Sequence, residues 1–151
     1  METIEVLFVC VHNSARSQMA EAYFNRFASG PWHAQSAGIE PGELNPLVVQ
    51  VMEEDGIDIS GNSTKSVFDI YEKGALFRYV VTVCDRSAAQ RCPVFPGVAE
   101  RVHWGFADPS QFTGSKDERL EQTRRVRDQI RETVLSWIEK LKEEEKCLPS
   151  D

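Results

Sequence analysis

The sequence predicts a single α/β domain, a four-stranded parallel sheet with helices on both faces. Three observations lead there. Apolar, β-branched runs alternate along the chain with segments whose apolar residues recur at helical spacing, and strands that alternate with helices pair in parallel. A length of 151 residues, 41% of them apolar, suits one domain with a real core. Finally, Cys10, Cys84 and Asp108 each follow a predicted strand. All three therefore reach the rim beyond the carboxyl ends of the strands, where ligands of such sheets bind.

The first strand is the run Val6-Leu7-Phe8-Val9-Cys10. It passes through short polar residues into a helix that begins near Ser14, is apolar at positions 19, 20, 23, 24 and 27, and fades around Ser29-Gly30-Pro31. A second strand covers 33–38 and ends in Ser36-Ala37-Gly38. Asn45-Pro46 reads as an N-cap and first helical residue, with Val48, Val51 and Met52 inward and Gly56 closing the helix. Residues 57–77 are mixed, with a short helix around 66–73. The run 78–84 is the clearest buried strand, and 101–106 a weaker fourth. The last segment, about 117–146, carries Val126, Ile130, Val134, Trp137, Ile138 and Leu141 on one stripe and predicts a long amphipathic helix. The domain is expected over 1–146 with a tail at 147–151, and Cys147, in that charged chain end, is expected to be a bystander.

A net charge of -7 disfavours nucleic acid and acidic membranes as partners and requires any anion site to be positive locally. No segment approaches the ~18 apolar residues of a membrane span. Residues 1–5 lack the basic region of a signal peptide, so a cytoplasmic protein is expected. In that compartment the four cysteines point to catalysis, redox chemistry or metal binding rather than a static disulfide framework. Cys84 and Cys92 have neither the CxxC pairing nor the histidine cluster of a tetrahedral site, so no metal is expected.

Cys10 and Arg16 bracket five residues, a spacing that lets one loop curl around a single tetrahedral oxyanion. The N–H groups of Val11, His12, Asn13, Ser14, Ala15 and Arg16 can converge on the anion, the positive end of the following helix points at it, and the Arg16 guanidinium can bind two of its oxygens. The same charges favour a thiolate at Cys10, and Ser17 can donate a hydrogen bond to it. The plainer reading is a buried strand-end cysteine beside an ordinary helix arginine. Further on, Cys84 stands at a strand end and Cys92 in a loop of small and polar residues. Hydrolysis through one cysteine uses neither, whereas a reductase needs electrons that two thiols can supply by exchange. Asp108-Pro109 supplies a carboxylic acid suited to protonating a departing oxygen, although Asp-Pro is also a common turn opening.

The stretch Val9-Cys10-Val11-His12-Asn13-Ser14-Ala15-Arg16-Ser17 closely resembles the phosphate-binding loop of the low-molecular-weight protein tyrosine phosphatase fold, which phosphatases and thioredoxin-coupled arsenate reductases share. His12 replaces the usual glycine, a variant associated with the reductases, and is expected to pack. Cys84 with Cys92, the run His103-Trp104-Gly105-Phe106-Ala107-Asp108-Pro109 and Arg125-Val126-Arg127-Asp128 extend the resemblance to the arsenate reductases over most of the chain.

That resemblance implies a relay in which Cys10 attacks arsenate, Cys84 attacks the Cys10 adduct to release arsenite, and Cys92 attacks Cys84. Thioredoxin would reduce the resulting Cys84 to Cys92 disulfide. It further implies Asp108 as acid, no tightly bound cofactor, phosphate or sulfate as competing oxyanions, and a monomer. Asn13, Glu21 and Ser36 match positions that surround a potassium ion in some reductases. Lys65 stands at the fourth position, where the family has an aspartate; either these residues form a potassium site, or the Lys65 ammonium is expected to replace the cation, pair with Glu21 and hold Asn13. Ser110-Gln111-Phe112 replace the aromatic residues with which the phosphatases grip a tyrosine ring, which argues against an aryl substrate. The same loop leaves open a phosphatase acting through a cysteinyl-phosphate, and a non-catalytic oxyanion sensor whose Cys84 and Cys92 report redox state.

Overall fold

The structure, a computed structural model, describes residues 3–97 and 99–147, with side chains as far as residue 144. Four strands, β1 (Ile4–Cys10), β2 (Trp32–Gly38), β3 (Tyr79–Thr82) and β4 (Glu100–His103), form one sheet in the order β2-β1-β3-β4, and every pairing is parallel. Parallel strands need crossover connections, and here helices make them. They are α1 (Arg16–Phe27), α2 (Pro46–Glu54), α3 (Val67–Glu72) and α4 (Arg86–Ala89), with α5 (Lys116–Cys147) closing the chain. Among the described residues no helix is long and apolar enough to cross a membrane.

Alternation along β1 divides the core. Val6, Phe8 and Cys10 face the cluster built with Met19, Ala20, Tyr23 and Phe24 of α1 and Val126, Ile130 and Val134 of α5, while Leu7 and Val9 face a second cluster with Val67 of α3, Cys92 and Phe95. Trp137 of α5 sits among aromatic rings, with centroids 5.1 Å from Tyr79, 5.3 Å from Trp104 and 5.6 Å from Phe24. Both faces of the sheet are thereby covered, as an all-parallel sheet requires. Helix α2 starts where Asn45-Pro46 predicts, with the Asn45 side chain accepting from the Leu47 N–H.

Three local expectations change. Helix α1 begins at Arg16 rather than near Ser14, because residues 11–15 are bent around the site described below. Strand β3 ends at Thr82 and β4 at His103, so Cys84 and Trp104 to Phe106 lie beyond the strands. The segment after Cys84, expected to be a loop, holds the single turn α4. The tail expected at 147–151 lies outside the described residues apart from the main chain of Cys147, as does the Cys147 side chain.

Candidate active site

The site is built where β1 hands over to α1. The carbonyl of Cys10 accepts from Ile39 N at 3.1 Å, that of Val11 from Glu40 N at 2.7 Å, that of His12 from Gly42 N at 3.0 Å and that of Ser14 from Asn45 N at 3.0 Å. The Asn13 carbonyl accepts from Gln18 Nε2 at 3.1 Å. Among the described residues there are no cis peptide bonds, and in a trans peptide the N–H points opposite to the C=O. With five successive carbonyls drawn to residues 39–45 and Gln18, the N–H groups of residues 11–15 are turned the other way. The Asn13 N–H shows what lies there, since it donates to Cys10 Sγ at 3.2 Å. Helix α1 adds its own N-terminus without a competing cap, since Ala15 at the N-cap offers no side-chain acceptor.

Two residues permit this bend. Asn13 adopts the left-handed conformation, φ 55°, which asparagine tolerates better than most side chains. Gly38, at the end of β2, lies so close that a Cβ there would stand 2.7 Å from Asn13 N and 2.8 Å from the His12 carbonyl carbon and Val11 O. Glycine is needed there for space rather than for backbone conformation.

Cys10 is buried, with Ser17 Oγ 2.8 Å from its sulfur. Asn13 Nδ2 donates to the same oxygen at 2.8 Å, which leaves the Ser17 hydroxyl proton for the sulfur. Gln18, fully buried, braces the bend by donating to Asn13 O, Asn13 Oδ1 and Ser63 O. Arg16 is also buried. Its Nη1 donates to Phe106 O at 3.3 Å and its Nη2 lies 3.4 Å from Asp108 Oδ2. Asp108 opens a turn, one of the two readings of its sequence context, and its carboxylate also reaches the loop. Oδ1 caps the 3-10 turn Pro109–Gln111, accepting from Ser110 N at 3.0 Å and Ser110 Oγ at 2.8 Å, while Oδ2 faces the loop arginine.

The two further thiols occupy different places. Cys84 is buried in the same cluster as Cys10, and burial pushes its thiol up to about 11, with the Cys10 charge adding to the rise and Arg16 opposing it. Cys92 is buried in the cluster on the other face of the sheet, where burial raises its thiol and Arg101 opposes. Helix α4 separates the two, and its last turn is held by Arg101 Nη2, which donates to Ala89 O at 3.1 Å. Cys92 is therefore not in an open loop.

The cation expectation is corrected. Lys65 holds Asn13 through its backbone N–H, 2.9 Å from Asn13 Oδ1, whereas its ammonium reaches Ser63 O at 3.3 Å and forms no ion pair with Glu21. Glu21 instead accepts from Ser36 Oγ at 3.0 Å. Asn13 Oδ1 already accepts from Lys65 N and Gln18 Nε2, so both lone pairs are taken. Asn13 Oδ1 therefore has no free lone pair to offer a cation. His12 turns outward, with Nδ1 bonded to Glu40 O at 2.8 Å. Among the described residues no group of three or more His, Cys, Asp or Glu could hold a metal ion. The 39–45 strap, Gly38 and Gln18 carry no motif that marks them in the sequence.

Residues 5–147 match the family described as low molecular weight phosphotyrosine protein phosphatase. The chain belongs to that family. Its relatives within the low-molecular-weight phosphatase family include the arsenate reductase of Bacillus subtilis, 41% identical over 141 residues that cover 92% of this chain and 98% of the relative. The crystal structure of arsenate reductase from Archaeoglobus fulgidus is similar with a TM-score of 0.70 at 35% identity, covering 88% of this chain and 98% of that one. The thioredoxin-dependent arsenate reductase of Corynebacterium glutamicum is similar with a TM-score of 0.60 at 26% identity, covering 89% of this chain and 63% of that one.

Proposed function

We propose that this family member reduces arsenate to arsenite through a relay of three thiols. The observation that carries the reading is Cys84, a second thiol buried in the cluster of Cys10. A phosphomonoester hydrolase needs no such group. The reading is supported by the Bacillus subtilis relative, named arsenate reductase, and for the reductant by the Corynebacterium glutamicum neighbour, named thioredoxin-dependent.

In this mechanism the N–H groups of residues 11–16 and the Arg16 guanidinium hold the oxyanion. Cys10 Sγ bonds to arsenic, and one oxygen leaves as water with a proton from Asp108. Cys84 Sγ then attacks Cys10 Sγ. An S–S bond forms, the S–As bond breaks with its electron pair kept by arsenic, and arsenite departs two electrons reduced. Cys92 Sγ attacks Cys84 Sγ and expels Cys10 as thiolate. The dithiol of thioredoxin reduces the Cys84 to Cys92 disulfide. Disulfide geometry brings Cα atoms to ~4.4–6.8 Å, so Cys92 must leave its cluster for this step.

Phosphate shares the charge and shape of arsenate, so the loop alone also supports a phosphatase acting through a cysteinyl-phosphate. One experiment separates the two. NADPH consumption with arsenate, thioredoxin and thioredoxin reductase is expected in the unmodified protein and is expected to collapse in Cys92→Ala after one equivalent of arsenite. Aryl phosphate hydrolysis that ignores Cys92→Ala, with no arsenate turnover, would instead establish the phosphatase.

A pH dependence follows from Cys84. Its thiol, pushed up to about 11, holds its proton at neutral pH, so the attacking thiolate is the minor form. Single-turnover arsenite release at saturating arsenate is expected to increase with pH by up to about tenfold per unit on the acid side of that value. Adduct formation at Cys10 removes one charge that raises the Cys84 thiol, which moves the inflection below that of the free protein. A flat profile would mean that deprotonation of Cys84 does not limit the step.

A further inference from the structure

We infer that Arg119, which lines the groove beside the Cys10 loop, captures the oxyanion and draws it in. This rests on the oxyanion reading of that loop. A groove of about 520 Å3 borders the loop at His12 and Ser14 and the Asp108 turn at Pro109 and Ser110, and Arg119, near the start of α5, lines it.

The case is electrostatic. The chain carries a net charge of -7, so its average field repels an arriving anion. Arg16, the cation inside the loop, is buried and already faces Asp108 at 3.4 Å. Arg119 is different. It is half-buried, and its guanidinium makes no hydrogen bond or ion pair with any described residue, so its charge is available to the groove. Glu43 lines the same groove with the opposite sign, and His12, bonded through Nδ1 to Glu40 O, is the other ionisable side chain there. Arg119 attracts a dianion that Glu43 repels. The sulfur of Cys10 is hydrogen-bonded by Ser17 and Asn13, not by either of these residues, so both act on capture and leave the chemical step alone.

The test measures KM and kcat for arsenate with the thioredoxin system, and affinity for inorganic phosphate by calorimetry, in Arg119→Ala, Arg119→Lys and Glu43→Gln. Arg119→Ala is expected to raise KM and weaken phosphate binding about fivefold to tenfold, with kcat within about twofold of the parent. Arg119→Lys keeps the charge and is expected to recover most of the loss, and Glu43→Gln to shift both quantities the other way. Raising salt from about 20 mM to about 300 mM, which shortens the screening length severalfold, should shrink the ratio of KM in Arg119→Ala to KM in the parent toward one. If Arg119→Ala leaves phosphate affinity unchanged, or lowers kcat with KM constant, the capture role is overturned. Should the parent not turn over arsenate while phosphate affinity still falls in Arg119→Ala, the reduction reading fails and the capture role stands.

Discussion

Cys10→Ser is expected to lower arsenate turnover by at least about 10⁴-fold while leaving oxyanion binding within a few-fold of the parent. The two properties separate because different atoms supply them. In the proposed function the anion is held by main-chain N–H groups whose directions are set by carbonyls tied to residues 39–45, and by Arg16; of these the Asn13 N–H alone donates to the sulfur. Turnover rests on the sulfur itself. A serine hydroxyl keeps its proton at neutral pH, and its oxygen can neither take up the S–S bond that Cys84 forms nor leave as the thiolate that Cys92 expels in the proposed relay. Ser17 Oγ and Asn13 N, now 2.8 Å and 3.2 Å from the sulfur, would still find an acceptor, so the loop keeps its shape. The measurement is phosphate calorimetry alongside arsenite release. Substantial arsenite formation by Cys10→Ser would remove Cys10 as nucleophile. Cys84→Ala makes the complementary case, since it should form the Cys10 adduct and stop before arsenite appears.

Gly38→Ala should reduce kcat/KM by about 10²-fold and cost about 1–3 kcal/mol of stability. Its added methyl would meet Asn13 N at 2.7 Å and the His12 carbonyl carbon and Val11 O at 2.8 Å, all main-chain atoms that have no rotamer to escape into. Relief must come from moving the loop or the end of β2. Moving the loop misdirects the N–H groups assigned to the oxyanion in the proposed function. Moving β2 disturbs the Gly38 N–H, which donates to Lys65 O at 2.8 Å, and through Lys65 the bond to Asn13 Oδ1. Phosphate affinity and thermal midpoint report the two routes separately. Both unchanged would mean that the strand end gives way freely.

Much of the fold is written in local pattern. The β-branched run into Cys10, the Asn45-Pro46 start and the Val126 to Leu141 stripe each carry their own periodicity or cap, and the parallel sheet follows from their alternation. Cys10 and Arg16 are legible for a similar reason, since their spacing within one loop is itself the signal. What stays hidden is held by contacts between distant main-chain atoms. The strap at 39–45 acts through its N–H groups, which every residue but proline has, so no side chain announces it. Gly38 reads as a strand end until Asn13 is placed against it. Lys65 misleads because its ammonium attracts notice while its amide makes the contact. Helix α4 is one turn of Arg-Ser-Ala-Ala, too short for any period to show, and Cys92 is buried although its neighbours in sequence are polar.

The strap has a consequence for what this loop can become. Because the carbonyls of Cys10, Val11, His12 and Ser14 are held by backbone donors, the curvature of the cradle does not depend on the Val11 and Ser14 side chains. Ser14 can therefore change without loss of the tie that shapes the loop, whereas Val11, packed against the core, is limited to apolar replacements. A lineage carrying this strap could retune which anion it admits by single substitutions, because its ancestry is preserved in the main chain while the letters change.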